Sequence, residues 1–269
     1  MASPPPGRSS PITIATDRGA VRVLQFTDPH LSGSPDMRVR GVATAATLAR
    51  CLAHARRRHP NPDVFLLTGD LVHDDPAGYA LLRAQFADAG APVHCLPGNH
   101  DHPADVSGSL DGPPFLHDFA RRHGAWMIVM LDSTIAGEDG GHLDDEQLAR
   151  LDAALTAQPD AHTLIGLHHH PVPHGSAWLD ELMLENAAEF FELLARHPGV
   201  RGLAWGHTHQ PFDGMHGRIR LMGTPSTCMQ FAQNADEFEI DDRPPGYRWI
   251  ELEPDGNIET GVEWVDEHA

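Results

Sequence analysis

Through most of the chain, short apolar runs bounded by turn residues alternate with stretches of helical spacing. Residues 21–27, 64–68, 93–96, 126–131, 162–167 and 200–205 are near-continuous apolar runs of strand length, the pattern of strands buried on both faces. Between them, residues 42–58, 77–89, 144–157 and 181–196 place apolar side chains at helical spacing, and Pro198-Gly199 closes the last of these. Beyond Trp205 the pattern changes to strand-like segments at 218–222, 226–231, 246–252 and 258–265 with little helical signal between them. The alternation followed by a β-rich tail predicts an α/β fold with mixed sheets. Without a linker, repeat or break in composition, one domain over residues 20–269 is expected, preceded by a loose arm at 1–19.

The arm begins with a Pro- and Ser-rich decapeptide that has no apolar h-region, so it does not read as a secretory signal. No apolar run reaches the length of a membrane span, and a cytoplasmic protein with no membrane partner is expected. The 269 residues suffice for a sizeable core. Charge narrows the chemistry further. Asp and Glu number 38 against 19 basic residues, for a net charge of -19, which disfavours a nucleic-acid partner. Every base is Arg, so a P-loop, Schiff-base or kinase-type lysine is excluded. The triplet Arg56-Arg57-Arg58 closes a predicted helix, where cations meet the favourable end of the dipole. Three cysteines without Cys-x-x-Cys spacing indicate neither a disulfide framework nor a thiolate zinc site. Twenty histidines in an acidic, thiol-poor chain point to a metal site of imidazoles and carboxylates.

The candidate ligands follow the predicted strands. Asp28-Pro29-His30, Gly69-Asp70, Gly98-Asn99-His100-Asp101, His168-His169-His170-Pro171 and Gly206-His207-Thr208-His209 each stand just after an apolar run. In open α/β sheets, ligands bind beyond the carboxyl ends of the strands. Each fragment alone has a bland reading, such as a turn before Pro29 or a helix cap at Asp70. Five in order, all competent as ligands, favour a metal centre.

This order of motifs resembles the calcineurin-like dinuclear metallophosphoesterases. The stretches Leu167-His-His-His-Pro-Val-Pro173, Thr224-Pro-Ser-Thr-Cys-Met-Gln-Phe231 and Pro245-Gly-Tyr-Arg248 are similar to the bacterial class III 3′,5′-cyclic AMP phosphodiesterases. The resemblance implies a four-layer αββα sandwich with two central mixed β-sheets. It also implies one metal held by Asp28, His30, Asp70 and His209, and a second held by Asp70, Asn99, His169 and His207, with Asp70 bridging. Among the three consecutive histidines, His169 is taken because the family's ligand lies two residues before a Pro. His168 is then expected to face the other way, and His170 is the competing choice.

The implied reaction is hydrolysis of cyclic AMP to 5′-AMP by a metal-bridging hydroxide. His100 would stabilise or protonate the leaving oxygen, with Asp101 orienting its other ring nitrogen and Asp70 and Asn99 completing the catalytic group. His30, Asp70, Asn99, His100 and His209 would contact the substrate. Segment 224–231 and the loop after His170 are candidates for adenosine contacts, against a plain core-strand reading with Cys228 packed inside. The resemblance points to iron, as Fe/Fe or Fe/Mn, and the donors also admit Mn, Co or Zn. His73 stands where purple acid phosphatases have Tyr, and Gly69-Asp-Leu-Val-His-Asp-Asp75 departs from the protein Ser/Thr phosphatases. Alternatives are a glycerophosphodiester or 2′,3′-cyclic nucleotide phosphodiesterase, and an inactive scaffold of the same fold. A homodimer is allowed by the arm and tail but not required.

Overall fold

The computed structural model describes residues 19–266; residues 1–18, which make up nearly all of the expected arm, lie outside them. Six strands form the first sheet in the order β16 (Ile258–Trp264), β15 (Gly246–Leu252), β1 (Val21–Phe26), β4 (Val64–Thr68), β5 (Val93–Leu96) and β6 (Phe115–Leu116). Strands β1, β4, β5 and β6 run parallel, while β15 and β16 return antiparallel. The second sheet is ordered β11 (Phe212–His216), β12 (Ile219–Gly223), β10 (Val200–Trp205), β9 (His162–Gly166), β8 (Trp126–Met130) and β7 (Ala120–His123). Its four inner strands are parallel and its two edges antiparallel. Both sheets are therefore mixed.

Strand alternation divides the apolar side chains between two faces. Val21, Val23, Val64, Leu66 and Leu96 of the first sheet meet Trp126, Ile128, Met130, Leu164, Ala204 and Met222 of the second in one buried cluster. The opposite face of the first sheet, with Leu24, Phe26, Phe65 and Leu67, packs on α1 (Thr44–Arg58) and α2 (Gly78–Phe86) through Leu48, Cys51, Leu52, Leu82 and Phe86. The outer face of the second sheet, with Met127, Val129, Ile165 and Leu203, packs on α4 (Asp145–Ala157) and α6 (Ala187–Ala195) through Leu148, Leu151, Leu155, Phe190 and Leu194. The layers run α, β, β, α, as expected. Removing one of these side chains, for instance Leu66→Ala, would cost about 2–5 kcal/mol through lost burial and the cavity left behind.

Arg248 ties the sheets together. It is 2% exposed, yet its guanidinium donates to the Phe212 and Gly223 carbonyls and to Thr260 Oγ1. Burial lowers its pKa to about 10. The motif 245–248 therefore has a structural part in the fold.

The expected elements shift where backbone groups have other partners. Val42–Ala43 (β3) pairs with Arg38–Val39 (β2), so the first helix starts at Thr44. The helix expected at 181–196 covers only Ala187–Ala195. Ahead of it, the one-turn α5 (Ala177–Asp180) is followed by Leu184, whose N–H donates to the His170 carbonyl, while the Asn186 side chain bonds both the N–H and C=O of Leu143. Of segment 226–231 only Gln230–Phe231 (β13) is a strand, paired with Ile240–Asp241 (β14). Helix α3 (Pro103–Ser109), α5, and strands β7 and β11 were not expected from the pattern. Among the described residues, no helix is long and apolar enough to cross a membrane.

Candidate metal centre

The ends of β1, β4, β5, β9 and β10 deliver Asp28/His30, Asp70, Asn99/His100, His168 and His207/His209 to one rim. The loops that carry them are cross-tied: Asp28 and His30 donate their N–H groups to the Gly69 and Asp70 carbonyls, and the His207 N–H donates to the Asp28 carboxylate. Asp28, His30, Asp70, His207 and His209 all adopt left-handed backbone, with φ of 50°, 45°, 49°, 62° and 47°. Such residues cost about 1–3 kcal/mol each and persist where surrounding structure over-determines them. Two glycines make the approach feasible. A Cβ on Gly98 would overlap the Asp70 carboxylate, and one on Gly206 would overlap Thr27 Oγ1 and crowd Asp28.

One donor group comprises Asp28, His30, Asp70 and His209, all buried, with their ligand atoms within 4.8 Å of one another. His30 Nε2 lies 3.2 Å from His209 Nε2 and 3.6 Å from Asp70 Oδ2, and His209 Nε2 lies 3.4 Å from Asp28 Oδ1. The His209 Nδ1–H donates to the Met229 carbonyl at 2.8 Å, which leaves Nε2 as the lone-pair nitrogen of the neutral ring. Burial, reinforced by His209, His100 and His73, holds the His30 pKa well below the ordinary value. Burial opposes ionisation of Asp28, but His209 and His168 outweigh it, so its carboxyl stays low. The remaining nitrogen of His30, Nδ1, meets His73 Nδ1 at 3.2 Å.

A second donor group gathers around the other oxygen of Asp70. His168 Nε2 lies 3.4 Å from Asp70 Oδ1 and 3.0 Å from Asn99 Oδ1, and His207 Nδ1 lies 3.0 Å from the same Asn99 oxygen. His168 Nδ1–H donates to the Thr68 carbonyl at 2.8 Å, so its Nε2 lone pair faces two oxygen acceptors. Unmatched acceptors converging in a buried place fit a cation. The donor chemistry, carboxylate, amide oxygen and neutral imidazole, suits first-row metals.

The orientation expected for the histidine triplet is corrected here. His168 turns into the site, beside His169 and His207, and the ligand atoms of these three lie within 4.8 Å of one another; the ring nitrogens of His169 nevertheless meet Ser133 Oγ (Nδ1, 2.8 Å) and the Asp139 carbonyl (Nε2, 3.2 Å). Strand β9 ends at Gly166, so strand alternation no longer governs the triplet. Gly69 and Gly98, lacking Cβ atoms, leave the room that the His168 ring fills. His170 is buried with its ring stacked beside His207 at 5.8 Å, and its Nε2 is turned to Asp180 Oδ1 at 3.6 Å.

The expected partner of His100 is also corrected. Asp101 accepts from the N–H groups of Leu71, Val72 and Gly98 and from the Tyr79 hydroxyl, and makes no bond to the imidazole. Burial, with Asp70 nearby, raises the Asp101 carboxyl to about 6. Asp74 takes the expected place, with both carboxylate oxygens 3.1 Å from His100 Nδ1. Burial works against a charged His100 ring, but Asp70 and Asp74 outweigh it and raise its pKa. The His100 N–H also donates to Asp70 Oδ1 at 3.0 Å.

These groups open onto a cavity of about 310 Å³ lined by His30, Asp70, Asn99, His100, His207 and His209 together with Trp178, Met229, Phe231 and Phe238. Segment 224–231 thus serves two purposes. Met229 and Phe231 reach the cavity, while Cys228 is buried beside Val39. Sequence reasoning missed Asp74, Trp178 and Phe238. The acidic pair Asp74-Asp75 after Gly69-Asp70 was the available signal for the first; no spacing pointed to the aromatics.

Residues 21–211 match the family described as calcineurin-like phosphoesterase. The chain is 39% identical over 256 residues to the 3′,5′-cyclic adenosine monophosphate phosphodiesterase CpdA of Pseudomonas aeruginosa, covering 95% of this chain and 93% of that one. It is 40% identical over 246 residues to the protein of the same name from Escherichia coli K12, covering 90% and 89%. Among solved structures, a dimetal phosphatase from Danio rerio superposes with a TM-score of 0.64 at 15% identity, over 91% of this chain and 99% of that one. A purple acid phosphatase from yellow lupin gives 0.57 at 14%, over 99% of this chain and 56% of that one. At such identities these two likenesses show the fold alone.

Proposed function

The chain belongs to the calcineurin-like phosphoesterase family, and we propose that it is a metal-dependent phosphodiesterase opening 3′,5′-cyclic AMP to 5′-AMP. The observation that carries the reaction class is the convergence of acceptor atoms on two points that share Asp70. The Pseudomonas and Escherichia relatives, each matched over nearly their whole length, supply the substrate.

Asp28, His30, Asp70 and His209 would hold one ion, and Asp70, Asn99, His168 and His207 the other. His168 replaces His169 in this set because its Nε2 faces Asp70 and Asn99, whereas the two nitrogens of His169 meet Ser133 Oγ and the Asp139 carbonyl. Two bound ions would neutralise the phosphate and ionise water near neutral pH. We take iron, alone or with manganese, as the native metal, which elemental analysis of protein purified without chelator tests. Three buried free cysteines suit a reducing compartment, in keeping with the cytoplasm.

The protein's own groups do the rest. Backbone bonds to Thr68 and Met229 fix His168 and His209 as Nε2 donors, so the site is assembled before substrate arrives. With Nδ1 of His100 committed to Asp74, Nε2 is the nitrogen left to give a proton to the leaving O3′. Water oxygen joins phosphorus as the P–O3′ bond breaks, and O3′ takes the proton. His100 beside O3′ thus fixes which ester bond opens. Hydrolysis in oxygen-18 water should give 5′-AMP as sole product with the label in its phosphate. Predominant 3′-AMP would overturn the placement of His100, and faster turnover of a glycerophosphodiester would overturn the substrate.

A further inference from the structure

Part of the cavity lining next to the metal ligands is aromatic. Trp178 on α5, Phe231 at the end of β13 and Phe238 in the connection to β14 meet edge-on, with centroids 5.2 to 5.3 Å apart. Phe231 lies parallel to the His209 ring at 4.0 Å. The three rings therefore lead outward from the metal ligands. Trp178 and Phe238 belong to none of the buried clusters among the described residues, and Phe238 is 41% exposed. The Arg40 guanidinium sits 4.5 Å over the Phe238 ring, placing a cation at the mouth of an otherwise acidic protein. Finally, Trp178 Nε1 is buried without a hydrogen-bond partner. A buried indole N–H ordinarily finds an acceptor, and this one has none among the described residues.

We infer that Trp178 and Phe238 form the nucleobase subsite, holding a purine of a cyclic nucleotide whose phosphate lies at the ligand cluster. The inference rests on the phosphodiesterase reading and deepens it. A base offers a π face for the rings, and stacking of this kind tolerates different bases. A glycerophosphodiester has no such face and would leave the aromatic wall unused. Arg40 stiffens the wall by its contact with Phe238.

The test compares kcat/KM for cyclic AMP with that for the 3′,5′-cyclic phosphate of 1-deoxyribose, the same bicyclic diester without a base. The wild-type enzyme should prefer cyclic AMP. Trp178→Ala and Phe238→Ala should each reduce that preference about tenfold or more, chiefly through KM, as expected for loss of one base-stacking contact. Trp178→Phe, which keeps a ring and loses the donor, should fall between wild type and Trp178→Ala. Quenching of tryptophan fluorescence by 5′-AMP should weaken in Trp178→Phe, a readout independent of turnover. Proportional loss on both substrates in the Ala variants would overturn the subsite by showing that the rings only support the fold. An unaltered preference in both Ala variants would also overturn it, as would a change in oligomeric state that accounts for the losses. Wild-type hydrolysis of the base-free diester with none of cyclic AMP would instead strike the substrate reading itself.

Discussion

Two sets of buried imidazoles among the described residues, those at the rim and the His94–His123 pair, differ in what their nitrogens meet. At the rim, His168 and His209 each donate one nitrogen to a backbone carbonyl and turn the other toward acceptors. In the second setting, His94 on β5 and His123 on β7 stand with their Nε2 atoms 3.0 Å apart. One of these can donate to the other, so the contact is satisfied without a cation. No carboxylate makes a hydrogen bond or ion pair with either ring among the described residues. Burial depresses the basicity of His30 and His207 at the rim and of His94 and His123 in the second setting. What marks the metal site is convergence of unmatched acceptors on left-handed loops held by close glycines, whereas the second pair rides on ordinary strands.

The hardest blow to that contrast is removal of the shared carboxylate. Asp70→Ala should abolish turnover and lower the occupancy of both ions, because its two oxygens face the two donor groups. Elemental analysis checks it, and two retained equivalents of metal would show that Asp70 does not bridge.

The histidine triplet sharpens the comparison next. His168→Ala should lose the second ion and most activity, with at least a hundredfold drop on the scale expected for damaged metal chemistry. His169→Ala should keep both ions and lose about 10–100-fold, since its ring nitrogens bond Ser133 and the Asp139 carbonyl while its ring packs beside His168 and His207. The reverse ranking in metal content would restore His169 as the ligand.

The triplet also shows where sequence reading runs out. Strands 64–68, 93–96 and 200–205 were legible to the residue because each is a largely apolar run that ends in turn residues, and 246–252 because its β-favouring run stops before Pro254. The ligand-bearing loops were legible because Asp, Asn and His follow those ends. The choice among His168, His169 and His170 was not, because it depends on space left by Gly69 and Gly98, far away in sequence. Asp101 looked like the partner of its neighbour His100, but four donors from the 71–72 backbone, Gly98 and Tyr79 claim its carboxylate. The aromatic wall was invisible because α5 and the β13–β14 hairpin meet only in three dimensions.

That exchange of partners yields a pair of variants of smaller effect. Asp74→Asn should lower kcat about 10–100-fold with metals and thermal midpoint preserved, since it removes only the orienting charge on His100. Asp101→Asn should mainly destabilise, by about 1–3 kcal/mol, because its amide presents an NH2 to groups that need an acceptor. A larger activity loss in Asp101→Asn at unchanged stability would return the orienting role to Asp101.

The smallest effect concerns the second setting and isolates it from the metals. Burial, followed by His123 and Arg121, pulls the His94 pKa down to about 3; burial, followed by Arg121, pulls His123 down to about 4. Both values lie below the ordinary histidine value of about 6.5. The unfolded chain therefore takes up protons that the folded chain refuses, and stability falls with pH below that value. Above it both states are neutral at these rings and the pair contributes no pH dependence. Between pH of about 7 and about 5.5, each ring should cost about 1.3 kcal/mol, or about 2.5 kcal/mol together. The double variant His94→Gln, His123→Gln removes both titrations. Urea unfolding of the two proteins at those pH values, both in chelator, should give a shallower pH dependence for the variant by about that amount. Equal slopes would mean that this pair is solvated or protonated in the folded protein, and the contrast drawn between the two settings would fail on the side of the His94–His123 pair while leaving the metal ligands untouched.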